Sequence, residues 1–285
     1  MKRQQSFQND LPTLYLVATP IGNLQEMNPR AIEILNHVAV IAAEDTRNTL
    51  KLLQHFQIDT RLISHHMHNE SDSANGIIKL LESGQDVALV SDAGYPLISD
   101  PGYILVNEAI EKGYNVVPIS GSSASLDGLI ASGLIVQPHL FYGFLPLNDK
   151  EFIHEVNQLK AYPYTLIFYE APHRIGKTIA KLIPLMGDRK ACLAREITKK
   201  FEEFIRGNLS EIQTVCDELK GEMVLIIQGN IETKGQAIDL SEINEQIQRY
   251  IDAGVSASSA IKQVAKDTGL NKNELYQYYH DKQAS

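Results

Sequence analysis

The feature that most constrains the fold is an apolar run, residues 14–18, that passes directly into the turn string TPIGN at residues 19–23. A helical pattern follows over residues 28–38, and apolar runs then alternate with helical patterns at 38–42, 61–64, 86–91 and 115–119. This alternation predicts an α/β fold with a mostly parallel sheet covered by helices on both faces. Ligands of such folds bind beyond the carboxyl ends of the strands, where the TPIGN turn is placed.

A Gly/Ser-rich hinge at 120–125 separates this region from a second one with a different texture. Its predicted strands are 139–144, 164–169, 190–195, 201–206 and 222–228. We expect the runs at 201–206 and 223–228 to pair antiparallel around a helix near 210–219. The predicted organisation is a disordered tail (1–12), an N-terminal α/β domain (13–120), a C-terminal α/β domain (121–230) and a helical appendage (236–285).

The appendage shows three helical patterns. Ile243, Ile247 and Ile251 recur at the spacing of one helix face. A turn, GLN at 269–271, is predicted to separate the other two patterns, whose apolar positions are Ala260, Ile261, Val264 and Ala265, and then Leu275, Tyr276 and Tyr279. Two short helices around a Gly-containing turn are typical of a helix-turn-helix unit.

Composition limits the classes of protein that this chain can represent. The 285 residues carry a formal net charge of −9, which disfavours a nucleic-acid partner unless a basic face is local. No apolar run reaches the roughly 20 residues of a membrane span, and the polar first ten residues are not a signal peptide. Two cysteines, Cys192 and Cys216, provide neither a disulfide framework nor zinc spacing, so a reducing cytoplasm is expected.

Two acidic strings end apolar strands. EDTR at 44–47 contains two potential helix N-caps, Asp45 and Thr46, together with Arg47, which is available to reach a ligand. SDAG at 91–94 suits either a simple turn or a site where one carboxylate and the backbone approach a small polar ligand. For both strings the local sequence leaves the structural and the functional interpretation open.

Two further strings imitate known sites. APHRIGKT at 171–178 fits a loose phosphate-loop pattern, but Ala171 replaces the first glycine and Pro172 lacks an N–H, so a proline-led helix start competes. A third interpretation places Glu170, His173 and Arg174 at a cleft.

HHMHNE at 65–70 suggests metal ligands, yet no second His/Cys cluster completes a site, and we expect a polar loop and no metal; a pH-sensitive phosphate contact is a minor alternative.

Together these strings resemble the tetrapyrrole methylase superfamily, and within it the ribosomal small-subunit RNA methyltransferase I family. The matching stretches run in family order from residue 14 to 228: TPIGNL (19–24), AEDTR (43–47), HNE (68–70), SDAG (91–94), PLISDPG (96–102), GFLP (143–146), FYE (168–170), PHR (172–174), ARE (194–196) and KGE (220–222). The helical appendage resembles one found on many members. Three departures are Tyr95, Glu26 and the SGS string at 120–122, where the family has a Pro-Gly-Pro hinge.

The resemblance implies a two-domain class III methyltransferase with S-adenosylmethionine in the cleft between the domains. It implies donor contacts at Ile21, Gly22, Asp92, Ala93, Gly94, Ser123, Ala124, Tyr169, Ala194 and Met223. It also implies 2′-O-methylation of a cytidine in the decoding region of 16S rRNA in the small ribosomal subunit, by a cytoplasmic homodimer with no membrane partner.

For the chemistry, we predict Asp45 or Glu170 as a base, and Arg47 or Arg174 as the cation that holds phosphate or stabilises the developing alkoxide. Competing functions are methylation of a small tetrapyrrole, a binding module on a degenerate enzyme body, and ATP binding through residues 171–178.

Overall fold

The computed structural model describes residues 1–66, 70–231, 240–268 and 272–283. The chain divides into two compact units, Met1–Gly229 and Asn230–Ser285. The first unit contains two five-stranded sheets, one on each side of the hinge at residues 120–125. The boundaries that we predicted at residues 120 and 230 stay proposals.

The first sheet is entirely parallel and has the strand order β3-β2-β4-β1-β5. Its strands are β1 (Thr13–Val17), β2 (Val40–Ala43), β3 (Leu62–Ser64), β4 (Val87–Val90) and β5 (Asn115–Ile119). Helices α1 (Pro29–His37), α2 (Thr46–His55), α3 (Glu70–Glu82) and α4 (Tyr103–Lys112) connect them. The predicted parallel α/β domain is therefore confirmed.

Both faces of this sheet are buried, because its strands place apolar side chains on alternate sides. In β4, Ala88 and Val90 pack in the cluster that includes α1 and α2, whereas Val87 and Leu89 pack in the cluster that includes α3 and α4. This covering leaves the carboxyl edge of the sheet for polar loops.

The second sheet is mixed, with the order β6-β7-β10-β8-β9. Only β6 and β7 are parallel; the other neighbours are antiparallel. The strands are β6 (His139–Phe144), β7 (Thr165–Glu170), β8 (Lys190–Arg195), β9 (Glu203–Asn208) and β10 (Met223–Ile227). Its helices are α5 (Ala124–Ser132), α6 (Asp149–Leu159), α7 (Ile175–Met186) and α8 (Leu209–Gln213).

The predicted pairing of residues 201–206 with 223–228 is wrong. Strand β10 lies between β7 and β8, while β9 pairs with β8 at the sheet edge. Every residue of β10 is buried and no residue of β9 is, so burial sends the continuous apolar run to the sheet centre. The predicted helix near 210–219 is also shorter, and consists of α8 and a 3-10 turn at Cys216–Glu218.

The second unit has three helices, α9 (Leu240–Asp252), α10 (Ala257–Thr268) and α11 (Lys272–Gln283). The predicted apolar positions form its core, except that Ile251 is half-buried and Tyr276 is exposed. The predicted turn at 269–271 lies outside the described residues. Within the described ranges, no helix has the length and apolar character required to cross a membrane.

Residues 1–12 form no helix or strand. The Gln4 side chain accepts a hydrogen bond from the Val116 backbone N–H and donates one to its carbonyl, each at 3.0 Å. The disorder that we expect for this segment stays a prediction.

Candidate active site

Two loops at the carboxyl edge of the first sheet are joined directly. Thr19, after β1, and Gly94, after β4, exchange backbone N–H···O hydrogen bonds of 2.9 and 3.0 Å. The Thr19 hydroxyl donates to the Ser91 carbonyl at 3.1 Å, and the Ser91 hydroxyl donates to the Gly94 carbonyl at 2.9 Å. Gly94 has a φ of +79°, a conformation that favours glycine. The TPIGN and SDAG strings thus form one rigid wall.

A cavity of about 380 Å³ lies beside this wall, between the loops of the first sheet and the carboxyl ends of β7 and the start of β10 in the second. Eight of the ten predicted donor-binding residues line it: Ile21, Asp92, Ala93, Gly94, Ser123, Ala124, Tyr169 and Met223. Local sequence placed these residues in strings far apart along the chain, and the fold brings them together.

The other two predicted donor contacts, Gly22 and Ala194, do not line the cavity. Gly22 lies under the Lys199 side chain, where a Cβ would approach the Lys199 Cγ to 2.4 Å. Ala194 is fully buried in β8 and packs in the cluster that contains Ile21 and Val224. Ala194 therefore supports the cavity wall from behind, whereas Gly22 is exposed.

The cavity wall is acidic on one part and apolar on another. Four carboxyl side chains contribute to it, those of Asp92, Asp100, Glu170 and Glu222, and the described residues that line it include no Lys, Arg or His. Ile197, Tyr169 and Val224 supply apolar surface. Such a wall suits a ligand with a flat apolar part and a positively charged part.

Residues that depart from the family pattern form hydrogen bonds at the hinge that borders this cavity. The Tyr95 hydroxyl accepts a hydrogen bond of 3.1 Å from the Gly121 backbone N–H. The Ser122 hydroxyl donates to a Glu26 carboxylate oxygen at 2.6 Å. Tyr95, Ser122 and Glu26 therefore act together in linking both loops to the hinge.

Asp45 and Arg47 form a closed pair at the start of α2. Asp45 is the N-cap, and its Oδ1 accepts from the Arg47 backbone N–H at 2.9 Å. The Arg47 guanidinium donates to both Asp45 carboxylate oxygens, at 3.1 and 2.9 Å. These hydrogen bonds lower the pKa of Asp45 to about 2. The capping and the ligand-reaching interpretations are compatible, because the Arg47 side chain remains 87% exposed.

Glu170 and Arg174 form a second pair, at the end of β7. The Glu170 carboxylate accepts from the Thr178 hydroxyl at 2.6 Å and from the Ala171 N–H at 2.9 Å, and lies 3.3 Å from Arg174 Nε. Arg174 also donates to the Leu145 carbonyl at 3.2 Å. Glu170 lines the cavity but its oxygens are engaged on the protein side.

The same contacts argue against a phosphate loop at 171–178. Thr178, the residue that would face a magnesium ion, is buried and bonded to Glu170. Helix α7 begins at Ile175, so Pro172 lies before the helix rather than at its first position. His173 is exposed.

Asp100 was not among our predicted site residues. It lines the cavity, with the carboxyl groups of Glu44 and Asp92 close by. Burial, and then the Glu44 carboxylate beside it, raise the pKa of Asp100 to about 7. The sequence position of Asp100 could have indicated it. Glu44 comes after β2, and Asp92 and Asp100 come after β4, which is the neighbour of β2 in the parallel sheet.

The histidine string at 65–70 is only partly described. His65 is fully buried, and its Nδ1 lies 2.7 Å from the Ser73 hydroxyl; burial lowers the pKa of His65. Glu70 begins α3 and accepts from the Gly102 N–H at 2.9 Å. Residues 67–69, including His68, lie outside the described residues. In the described part of the chain, no three His, Cys, Asp or Glu side chains are grouped to hold a metal ion.

Comparison with known proteins assigns this architecture to a class. Residues 13–213 match the family of tetrapyrrole (corrin/porphyrin) methylases. The crystal structure of a diphthine synthase has the same fold, with a TM-score of 0.59 at 15% identity, covering 76% of this chain and 89% of that one. A uroporphyrin-III-C-methyltransferase from Thermus thermophilus gives a TM-score of 0.53 at 16% identity, covering 79% and 97%. The fold is that of the tetrapyrrole methylases.

Sequence relatives narrow the class. The ribosomal RNA small subunit methyltransferase I of Bacillus subtilis is 45% identical over 99% of this chain and 100% of its own length. The protein of the same name from Streptococcus pyogenes serotype M3 is 46% identical, over 99% and 100%. This chain belongs to the ribosomal RNA small subunit methyltransferase I family.

Proposed function

We propose that this protein transfers a methyl group from S-adenosylmethionine to the ribose 2′-hydroxyl of a cytidine in the decoding region of 16S rRNA. The observation that carries the proposal is the cavity between the two sheets, lined by eight of the residues implied by the family resemblance. The names of the relatives, which concern the RNA of the small ribosomal subunit, support the substrate class.

The residues of the cavity fit S-adenosylmethionine. Its volume of about 380 Å³ lies in the range of roughly 300–1,000 Å³ of small-molecule sites. The carboxylates of Asp92 and Glu222 suit the hydroxyl and ammonium groups of the donor, and the acidic wall suits its sulfonium charge. Ile197 and Val224 offer apolar surface to the adenine ring.

When bound, this donor supplies a methyl group that is already activated for attack by oxygen. The protein therefore contributes mainly alignment, which is worth roughly 7–11 kcal/mol when the reacting atoms are held in line. The joined loops around Thr19 and Gly94 and the hydrogen-bonded hinge at Gly121 provide the rigidity that alignment requires.

The attacking hydroxyl must also lose a proton. Asp100 is the group best suited to accept it, because its pKa of about 7 matches a working pH near neutrality. Asp45, with a pKa of about 2, is a weak base. Glu170 has its oxygens bound to Thr178, Ala171 and Arg174. Of the four predicted catalytic residues, we retain Arg47 as the phosphate contact and assign Asp45, Glu170 and Arg174 to positioning.

The test is transfer of labelled methyl from S-adenosylmethionine to small ribosomal subunits from a strain that lacks this activity, followed by nucleoside analysis. Labelled 2′-O-methylcytidine is the expected product. Donor binding without transfer to subunits or to naked rRNA would contradict the proposal and direct attention to small-molecule acceptors. In the same assay, Asp45→Asn and Glu170→Gln are expected to lose far less turnover than Asp100→Asn, for which we expect a loss of about 10²–10⁴-fold.

We also propose a homodimer in the cytoplasm. Apolar side chains that are exposed in the single chain support the self-association: Leu126 and Ile130 on α5, and Ile135 and Val136 after it. Light scattering coupled to size exclusion measures the mass in solution, and a monomer at micromolar concentration would contradict this part of the proposal.

A further inference from the structure

A second pocket lies on the other side of the wall formed by the TPIGN and SDAG strings. It has a volume of about 230 Å³ and is lined by Thr19, Pro20, Leu24, Asn48, Thr49, Lys51, Leu52, Ser91 and Asp92. In each string, different residues line the two pockets. This pocket is lined by Thr19, Pro20 and Ser91. The donor cavity is lined by Ile21, Ala93 and Gly94. Asp92 borders both.

Thr49, one of the residues that line this pocket, has a hydroxyl that the protein leaves unsatisfied. Thr49 is 4% exposed, and its buried hydroxyl has no hydrogen-bond partner among the described residues. A buried hydroxyl without a partner costs about 1–3 kcal/mol. A ligand with a donor or acceptor at this point removes that cost.

The remaining lining has the composition of a site for one nucleotide. Leu24, Leu52 and Pro20 offer apolar surface to the face of a base. Lys51 lines the pocket from the exposed side of α2 and suits a phosphate. Arg47, outside the lining at the first turn of the same helix, pairs with Asp45 but keeps its side chain 87% exposed, so it adds positive charge nearby. The volume lies below the range of roughly 300–1,000 Å³ of drug-sized sites, so the pocket admits one nucleoside rather than a length of RNA.

Asp92 is held between the two pockets. Its Oδ2 accepts from the Asn48 amide at 3.0 Å, and its Oδ1 accepts from the Asp45 backbone N–H at 3.3 Å. In-line transfer requires the acceptor oxygen to approach the methyl group to about 3–3.5 Å. Asp92 is the residue that the two linings share, so a nucleoside in the second pocket meets the donor cavity at this side chain.

We infer that the second pocket is the acceptor subsite, which holds the ribonucleotide to be methylated. The inference rests on the proposed function and adds to it where the acceptor is bound. It assigns the Thr49 hydroxyl to a hydrogen bond with the nucleoside and the side chain of Leu24 to contact with the base.

The first experiment measures binding without catalysis. Methyl resonances of the full-length protein, saturated with S-adenosylhomocysteine, are followed by NMR during titration with cytidine 5′-monophosphate. We expect the signals of Leu24, Thr49 and Leu52 to shift. Leu50, exposed on the same helix and outside the pocket lining, is the internal control. No shift at the pocket methyls, or shifts confined to Ile21 and Met223 in the donor cavity, would overturn the inference.

Two variants test the site in the transfer assay. Leu24→Trp fills the pocket, and its matched control is Leu50→Trp, at a position of similar exposure. Thr49→Val removes the hydroxyl at nearly constant shape. We expect Thr49→Val to raise the KM for small subunits roughly 3–10-fold, and Leu24→Trp to raise it further, with the donor Kd unchanged in calorimetry.

The outcomes separate the two proposals. An unchanged KM in both variants, or a donor Kd that weakens in parallel with transfer, overturns the acceptor subsite while the methyltransferase stands. Nucleotide binding in the pocket together with no transfer by the wild-type protein overturns the proposed reaction while the nucleotide site stands.

Discussion

At the scale of single residues, the surroundings of a carboxyl group decide what it does at the sheet edge. Asp45 and Asp100 both lie in loops at the carboxyl edge of the first sheet, but Asp45 accepts hydrogen bonds from a guanidinium and Asp100 lies half-buried beside another acid. Their pKa values consequently differ, at about 2 and about 7. The residue type alone does not distinguish a helix cap from a base.

Asp100→Asn is expected to change the pH dependence of the reaction. With a pKa of about 7, Asp100 is protonated in acid and becomes a base as the pH rises, so wild-type kcat should increase through pH 6–8 and then level off. The variant should lose this limb and about 10²–10⁴-fold in rate. Single-turnover kinetics over pH 5.5–9 measure it, and an unaltered profile would exclude Asp100 as the base.

The same substitution has an expected effect on stability. The folded-state pKa of Asp100 is raised from 3.8 to about 7, so the native state binds this proton more tightly than the unfolded state. Stability is therefore lost as the pH rises from about 4 to about 7. In Asp100→Asn that loss of stability should be smaller by roughly 1–2 kcal/mol. This value is below the full free-energy equivalent of the pKa shift, because Asp100 is partly exposed and solvent screens its interactions. Urea denaturation at pH 4.5 and 7.5 provides the comparison.

Tyr95→Phe tests whether the residues that depart from the family pattern stabilise the hinge. The variant loses only the hydroxyl that accepts from the Gly121 N–H. We expect the donor Kd to weaken about 3–10-fold, the equivalent of one net hydrogen bond. Tyr103→Phe, at an exposed tyrosine outside the cavity lining, is the control. Equal donor affinity in both variants would show that the hinge does not depend on this bond.

At the scale of elements, a residue that caps a helix also contacts the hinge of the site. The Asn28 side chain caps α1 by accepting from the Ala31 N–H at 2.7 Å, and it also donates to the carbonyl of Ser120 in the hinge. The cap is readable from the sequence, because Asn-Pro before an apolar pattern is a common helix start. The contact with the hinge is not, because 92 residues separate the two positions.

The two roles of Asn28 are separable by substitution. Asn28→Ala should lower the free energy of unfolding by about 1 kcal/mol through loss of the cap, and should weaken donor binding through loss of the hinge contact. Asn28→Ser keeps a capping oxygen and should restore most of the stability but not the donor affinity. Thermal denaturation and calorimetry together give the answer; full recovery of both properties in Asn28→Ser would contradict the role in the hinge.

At the scale of the whole molecule, the two units have separate cores. Among the residues whose burial the structure describes, the buried apolar residues of the three-helix unit run from Ile243 to Tyr279, and those of the α/β unit end at Ile227. The deep, narrow major groove of A-form RNA does not admit a recognition helix. We therefore propose that the helical unit docks on the surface of the ribosomal subunit rather than reading bases.

Truncation after Gly229 tests whether the α/β unit binds the donor and the helical unit binds the ribosomal subunit. The shortened protein should bind S-adenosylmethionine with a Kd within about twofold of the full chain, since the cavity lining lies entirely before that residue. Its affinity for small subunits should fall roughly tenfold, or about 1.4 kcal/mol. Both constants are measured at one salt concentration. Unchanged subunit affinity would refute the docking role.

The sequence by itself determined the strands, the helices and the strings that meet at the site, because each depends on local periodicity, capping and turn chemistry. Residues 19–23 and 91–94 were placed at the carboxyl edge of a parallel sheet on these grounds, whereas Asp92 as a donor contact came from the family resemblance and stays a prediction. The family resemblance added the contacts from the second sheet.

Only the tertiary structure decided which strands are neighbours, and which polar and acidic side chains have hydrogen-bond partners. The central place of β10 follows from burying an apolar strand on both faces, a global condition that local spacing does not express. The engagement of Glu170, the raised pKa of Asp100 and the unsatisfied Thr49 hydroxyl depend on groups distant in the chain. Hydrogen bonding and desolvation act between atoms in space, so these properties arise only once the chain has folded.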